Sequence, residues 1–248
     1  MAMEELLFEQ TVTLQKSDTD EYGKMKLSAL LRHAQEAAGG HCDRLGLDWD
    51  TMVGKGLFWA VLRHRAEIRR MPAEGERITV QTWPMPATRT AYPRMVRGLD
   101  ENGQELFSVI SLWALMNTQT RTMVLPFKSG IEVPGILRGC EIDPPGSLPP
   151  VSHEKESLWT VTREDLDING HVNNARYLDR TEPLAGPFRA SHTPKELSVS
   201  YLAECRLDQC ITLGWTLSQE GELTADGCRP RTDVPGKTER VFAVKIRY

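Results

Sequence analysis

The chain has 248 residues, 40% of them hydrophobic and 26% charged, with a formal net charge of −4. That length suits one large domain or two small ones, and the balance is that of a soluble globular protein. No basic stripe points to nucleic acid, no run approaches the roughly 18 apolar residues of a membrane span, and five cysteines without a C-x-x-C pair fit neither a disulfide framework nor a zinc site.

The opening M-A-M-E-E-L-L-F-E-Q is acidic and lacks the apolar core of a signal peptide, so a reducing, cytoplasmic setting is expected. Residues 5–14 alternate polar and apolar through Phe8, Val12 and Leu14, as a strand does. The turn-rich S-D-T-D-E-Y-G follows. Residues 27–45 then carry Leu27, Leu30, Leu31, Ala34, Ala37, Ala38 and Leu45 at helical spacing, with Ser28 placed to cap the start and Gly39-Gly40 to weaken or end the helix. From 57 to about 124 the texture is that of strands, at 57–68, 78–83, 90–99 and 106–117, with Asn102-Gly103 marking a hairpin. Six prolines and four glycines give residues 126–150 the composition of a linker.

The order then restarts. A strand is expected near 158–161, followed by D-L-D-I-N-G-H-V-N-N, a helical opening at A-R-Y-L, and a region broken by Pro183, Pro187 and Pro194. Residues 197–202, 211–217 and 241–248 read as strands. Asp20-x-x-Gly23 falls over Asp167-x-x-Gly170 at an offset of 147 residues, and Ile78-Thr79-Val80 falls over Ile211-Thr212-Leu213 at 133. The shared order of elements predicts an internal repeat. It is an asymmetric one: Asn169 faces Tyr22, His171 faces Lys24, and Glu204 and Cys205 face Met71 and Pro72. Polar chemistry is concentrated in the second copy.

Asp167, Asn169 and His171 are the first candidates for chemistry. A histidine can act as acid, base or donor near neutral pH, an asparagine amide can hold a water or a carbonyl oxygen, and an aspartate can fix either. Backbone amides after Gly170, at a helix start, would be available to an oxyanion. The competing reading is a plain Asp-x-Asn-Gly turn with Asn173 or Asn174 as a helix cap. Glu204 and Cys205, placed in a strand, form the second group. Glu204 offers a general base, and Cys205 is either a nucleophile or a small buried hydrophobe. His41-Cys42 reads as packing, and the other histidines lack metal-ligand spacing. There is no G-x-S-x-G elbow and no nucleotide-binding glycine pattern. Trp49, Phe58, Trp59, Trp83 and Trp113 read as core; in a lipid-binding protein some of them would line an acyl tunnel.

Two blocks, D-L-D-I-N-G-H-V-N-N-A-R-Y-L at 165–178 and Y-L-A-E-C-R-L-D-Q at 201–209, supported by S-D-T-D-E-Y-G-K-M at 17–25, resemble the acyl-ACP thioesterases of plant plastids and bacteria. The resemblance runs from about residue 5 to the end of the chain. It implies an α+β architecture of two tandem hot-dog domains, each an antiparallel β-sheet wrapped around a central α-helix. It implies an N-terminal, acyl-binding hot dog at 1–128, a linker at 129–152 and a C-terminal, catalytic hot dog at 153–248. Asp167, Asn169, His171, Glu204 and Cys205 match the family's site residues. The implied reaction releases free fatty acid from acyl carrier protein, with no metal or organic cofactor. The prolines at 183 and 187 depart from the expected helix.

Two mechanisms are open: a water activated by Glu204 with His171, or attack by Cys205 with His171 as its base. An acyl-CoA thioesterase, a non-catalytic acyl-binding protein and a hydratase are the alternative functions. Tandem hot dogs already contain the pairing that single ones reach by dimerising, so the oligomeric state is open, a homodimer included.

Overall fold

The computed structural model describes residues 6–167, 169–231, 233–234 and 236–248. Glu5, the first residue of the strand expected at 5–14, and Ile168 of the D-L-D-I-N-G-H motif lie outside the described residues. The chain divides into two compact units, Met1–Pro145 and Gly146–Tyr248.

The first unit contains strands β1 (Phe8–Thr13), β2 (Leu57–Ile68), β3 (Arg77–Pro84), β4 (Tyr92–Leu99), β5 (Glu105–Asn117) and β6 (Met123–Val124). They form an antiparallel sheet in the order β1-β3-β4-β5-β2, with β6 on β5. Against it lies α1 (Leu27–Arg44), which buries Leu27, Leu30, Leu31, Ala34, Ala37, Ala38 and His41. These positions recur every three or four residues, so one stripe faces the sheet. Two local expectations are corrected. Lys26, without a side-chain bond, occupies the cap position, and Ser28 is buried inside the first turn. Gly39-Gly40 does not end the helix, which continues to Arg44. The reason lies across the interface: a Cβ on Gly40 would meet the Phe8 ring at 2.8 Å. The glycine costs helix propensity but admits the ring, and packing wins.

Two short helices, α2 (Trp49–Gly54) and α3 (Pro126–Ser129), have no counterpart among the expected elements. Beyond α3 the proline-rich stretch is irregular but not a free tether. Ile136, Cys140 and Ile142 pack on the buried Trp83, Met95 and Ile110, and the Trp83 indole donates to Glu141 at 3.1 Å. These few apolar side chains bind residues up to 145 to the first unit.

The second unit contains β7 (Lys155–Thr160), β8 (Glu196–Tyr201), β9 (Cys210–Leu217), β10 (Glu222–Pro230) and β11 (Thr238–Arg247), antiparallel in the order β8-β11-β10-β9-β7. β10 escapes sequence reading because Asp226, Gly227, Arg229 and Pro230 interrupt its apolar alternation. The helical segment is broken as the prolines require: α4 (Arg176–Thr181), a 3-10 turn over Glu182–Ala185, then α5 (Pro187–Ser191). Both units share one packing device. Gly98 stands opposite Phe107, Gly227 stands opposite Phe242, and in each pair the ring occupies the place of the missing Cβ. Among the described residues no helix is long and apolar enough to cross a membrane.

Candidate active site

The D-L-D-I-N-G-H segment is a loop closed by its own backbone. The Asp167 amide donates to the His171 carbonyl at 2.8 Å, and the Gly170 amide returns to the Asp167 carbonyl at 3.1 Å. The Asp167 carboxylate accepts from the amides of Asn169 at 2.8 Å and His171 at 3.4 Å. Gly170 takes φ +74°, the left-handed conformation that glycine adopts without strain. Two residues upstream, Asp165 anchors the loop from below. It is buried, accepts from the Thr162 amide and hydroxyl at 2.9 Å and the Trp159 indole at 3.3 Å, and pairs with Arg180 at 2.9 Å. Burial alone would raise its carboxyl; the Thr162 amide and hydroxyl and the Arg180 guanidinium outweigh it and hold the group below its ordinary value.

The loop is docked on the segment that follows β8. The Val172 amide donates to the Cys205 carbonyl at 2.8 Å, and His171 bridges to Arg206. This places His171 Nε2 3.2 Å from Glu204 Oε2. Arg206 Nη2 lies 3.5 Å from the same imidazole nitrogen and 3.3 Å from the same carboxylate oxygen. Arg229 donates to the Glu204 carbonyl at 2.5 Å and to Gln209 at 2.6 Å, fixing the backbone beneath.

Two expectations change. Glu204 and Cys205 lie past the end of β8, not within a strand. The amides of Gly170, His171 and Asn173 are engaged within their own segment and that of Val172 on the Cys205 carbonyl, so none of the four is available to an oxyanion. Neither Asn173 nor Asn174 is the cap of α4: Ala175 holds that position without a side-chain bond, and Asn173 closes a turn just before it, its side chain accepting from the Ala175 amide at 2.9 Å. Asn169 stands exposed at the loop tip. Cys205 is fully buried, facing Tyr177, and burial pushes its thiol up despite the Tyr177 hydroxyl and Arg229, which pull it down.

The first unit repeats the loop bond for bond. The Asp20 amide donates to the Lys24 carbonyl at 2.8 Å, Gly23 to the Asp20 carbonyl at 3.0 Å, and Met25 to the Pro72 carbonyl at 2.9 Å. The Asp20 carboxylate accepts from the amides of Tyr22 and Lys24. Lys24 bridges to Ala73 as His171 bridges to Arg206. Asp18 repeats Asp165, buried and ion-paired to Arg32. The offsets of 147 and 133 residues therefore hold at single-residue resolution, and Met71 stands at the place of Glu204. Asp18 and Asp165 escaped notice in the sequence, although extending the 147-residue register by two positions finds them.

The first unit also holds a cavity of about 250 Å³ beside α1 and α2. Trp49, Trp59 and Trp113 line it, whereas Trp83 belongs to the core.

Comparison with known proteins agrees with this duplicated plan. The family description "Acyl-ACP thioesterase N-terminal domain" matches residues 5–126, and "Acyl-ACP thioesterase C-terminal domain" matches residues 149–240. A chloroplastic palmitoyl-acyl carrier protein thioesterase of Gossypium hirsutum is 27% identical over 89% of this chain, which spans 57% of that protein. A chloroplastic dodecanoyl-[acyl-carrier-protein] hydrolase of Cinnamomum camphora is 27% identical over 94% of the chain, which spans 65% of it. The chain thus spans under two thirds of these relatives. Among solved structures, an acyl-ACP thioesterase from Bacteroides thetaiotaomicron aligns with a TM-score of 0.86 at 24% identity, covering 100% of this chain and 99% of that one. The 12:0-ACP thioesterase from Umbellularia californica aligns at 0.80 and 23%, covering 98% and 96%. The fold is the tandem hot dog.

Proposed function

The chain belongs to the acyl-ACP thioesterase family, and from that premise we propose that it hydrolyses fatty acyl thioesters carried on acyl carrier protein, with the reaction in the second unit and acyl-chain binding in the first. The observation that carries this reading is the contact of His171 Nε2 with Glu204 Oε2 at 3.2 Å, on a loop whose first-unit copy has Lys24 and Met71 at those places.

In the proposed reaction the Glu204 carboxylate takes a proton from a water as its oxygen attacks the thioester carbonyl carbon. The tetrahedral intermediate collapses, the C–S bond breaks, and the fatty acid forms. The proton passes to the departing sulfur by way of His171, which the 3.2 Å contact links to Glu204. Asn169, exposed at the loop tip, holds the water or the carbonyl oxygen, and Asp167 sets the loop that presents both it and His171. The water route is preferred to attack by Cys205 because a fully buried thiol with a raised pKa is a poor nucleophile.

The test is a panel of acyl chains of graded length, each on acyl carrier protein and on coenzyme A, with free-thiol detection. Faster thiol release from the carrier-bound series is expected. Faster release from the coenzyme A series would make it an acyl-CoA thioesterase, and absence of thiol release from every substrate would overturn the hydrolase reading.

A further inference from the structure

The cavity of the first unit is walled mainly by apolar side chains, among them Ala38, Leu47, Trp59, Tyr92 and Trp113. Arg94 of β4 lines it too, and only 6% of this arginine is exposed. Its Nη1 lies 3.1 Å from His41 Nδ1 and donates to the Thr82 hydroxyl at 3.3 Å, while its Nη2 lies 3.7 Å from the Cys42 sulfur, a weak acceptor. Among the described residues no carboxylate lies within ion-pairing distance of it. Asp48, on the same cavity wall, is engaged as the cap of α2, accepting from the Thr51 amide at 3.0 Å and hydroxyl at 2.7 Å. Asp43, also on the wall, is exposed and makes no ion pair with Arg94.

This arrangement is unlike the protein's treatment of its other sequestered guanidinium groups. Arg189, equally buried, stands 3.6 Å from Glu182; Arg240 pairs with Asp226 and Arg229 with Glu239. A buried charge without a counter-charge is strongly disfavoured, and burial accordingly pushes the Arg94 guanidinium below its ordinary value. His41, Thr82 and Cys42 bring no carboxylate to the guanidinium fork, which lines a cavity large enough for a ligand.

We propose that this cavity takes an aliphatic chain bearing a carboxylate remote from its thioester end, with Arg94 as the counter-charge. The substrate class is then a dicarboxylic acid held by one end as a thioester. Planar two-point donation makes arginine the side chain suited to such a group, and the apolar walls take the methylenes between the two ends. The inference rests on the acyl-chain reading above for the thioester end, and on Arg94 for the other.

Calorimetric titration of the full chain with methyl decanoate and with monomethyl sebacate tests it without requiring turnover. The two ligands share a methyl ester and a ten-carbon chain and differ in the terminal carboxylate. The expected result is at least about tenfold tighter binding of monomethyl sebacate, falling to within about twofold in Arg94→Met while methyl decanoate still binds. Equal or tighter binding of methyl decanoate by the wild-type chain overturns the proposal. So does an Arg94→Met chain that retains the preference, because the carboxylate then binds elsewhere. Should Arg94→Met fail to fold, the wild-type pair decides alone, with Arg94→Lys expected to keep part of the preference. Discrimination between the esters without thiol release in the panel above would sink the hydrolase reading and leave this one standing; thiol release without discrimination would do the reverse.

Discussion

Glu204 Oε2 and His171 Nε2 stand 3.2 Å apart although one belongs to a loop before α4 and the other to the segment after β8. The backbone bond from Val172 to the Cys205 carbonyl holds the two segments together, so the contact is a product of main-chain docking. Its weight in the proposed reaction is separable from that of the neighbouring thiol. Glu204→Gln keeps the shape and removes the base, and turnover is expected to drop by about 10²–10⁴-fold. Cys205→Ala is expected to stay within about tenfold of wild type. Steady-state thiol release on one good substrate compares them; a loss confined to Cys205→Ala would reinstate the covalent route.

The duplicated loop supplies its own control. Asp20→Ala and Asp167→Ala remove the same pair of amide acceptors, and each is expected to lower stability by roughly 1–3 kcal/mol. Only Asp167→Ala should also reduce turnover at a temperature where both variants are folded, because only that loop presents His171. Urea titration and activity on the same preparations give both numbers. Equal activity losses would mean that the first-unit loop also serves the reaction.

His64 makes the first unit sensitive to acid. It is fully buried between Ser111, 2.7 Å from Nδ1, and Gln35, 3.3 Å from Nε2, and burial pushes its pKa down to about 3. The unfolded chain binds this proton near pH 6.5, whereas the folded one does not. Stability is therefore complete above about pH 6.5 and declines on acidification towards pH 3, by at most about 1.4 kcal/mol per pH unit. His64→Gln, which cannot charge, should flatten that slope in denaturant titrations between pH 6.5 and 4. An unchanged slope would assign the acid response to other groups.

The two glycine–phenylalanine pairs predict parallel packing defects. Alanine at Gly98 or Gly227 would overlap the ring of Phe107 or Phe242, so each variant should lose roughly 1–3 kcal/mol. Gly98→Ala in a Phe107→Leu background should lose less, since the obstructing ring is gone. Thermal unfolding of the single and double variants measures the coupling.

Much of the fold was legible because its signals are local. The alternation in β1 and the Asn102-Gly103 turn, where Gly103 takes φ +75°, report conformations set within a few residues. The 147-residue register pointed to the duplicated loop for the same reason: Asp and Gly are required by the turn itself. What escaped depends on distant partners. The helix survives Gly39-Gly40 because of Phe8, and the proline-rich tail joins the first unit through Trp83 and Glu141. In the candidate site the residue types were readable, but the availability of the amides was not, since it depends on which carbonyls the loop meets. Arg94, unremarkable in Y-P-R-M, gains meaning only from surroundings in which no carboxylate among the described residues pairs with it.

The bonds that shape each loop run between backbone groups and one aspartate carboxylate, and none requires the side chain at 22 or 169, 24 or 171, 71 or 204. Mount and instrument are thus separate parts. A duplicated mount lets one copy change its fittings while the other keeps its own, and it gives the protein engineer a blank position of known geometry. Tyr22→Asn, Lys24→His and Met71→Glu would write the second unit's polar set onto the first, with the turn already in place to receive it.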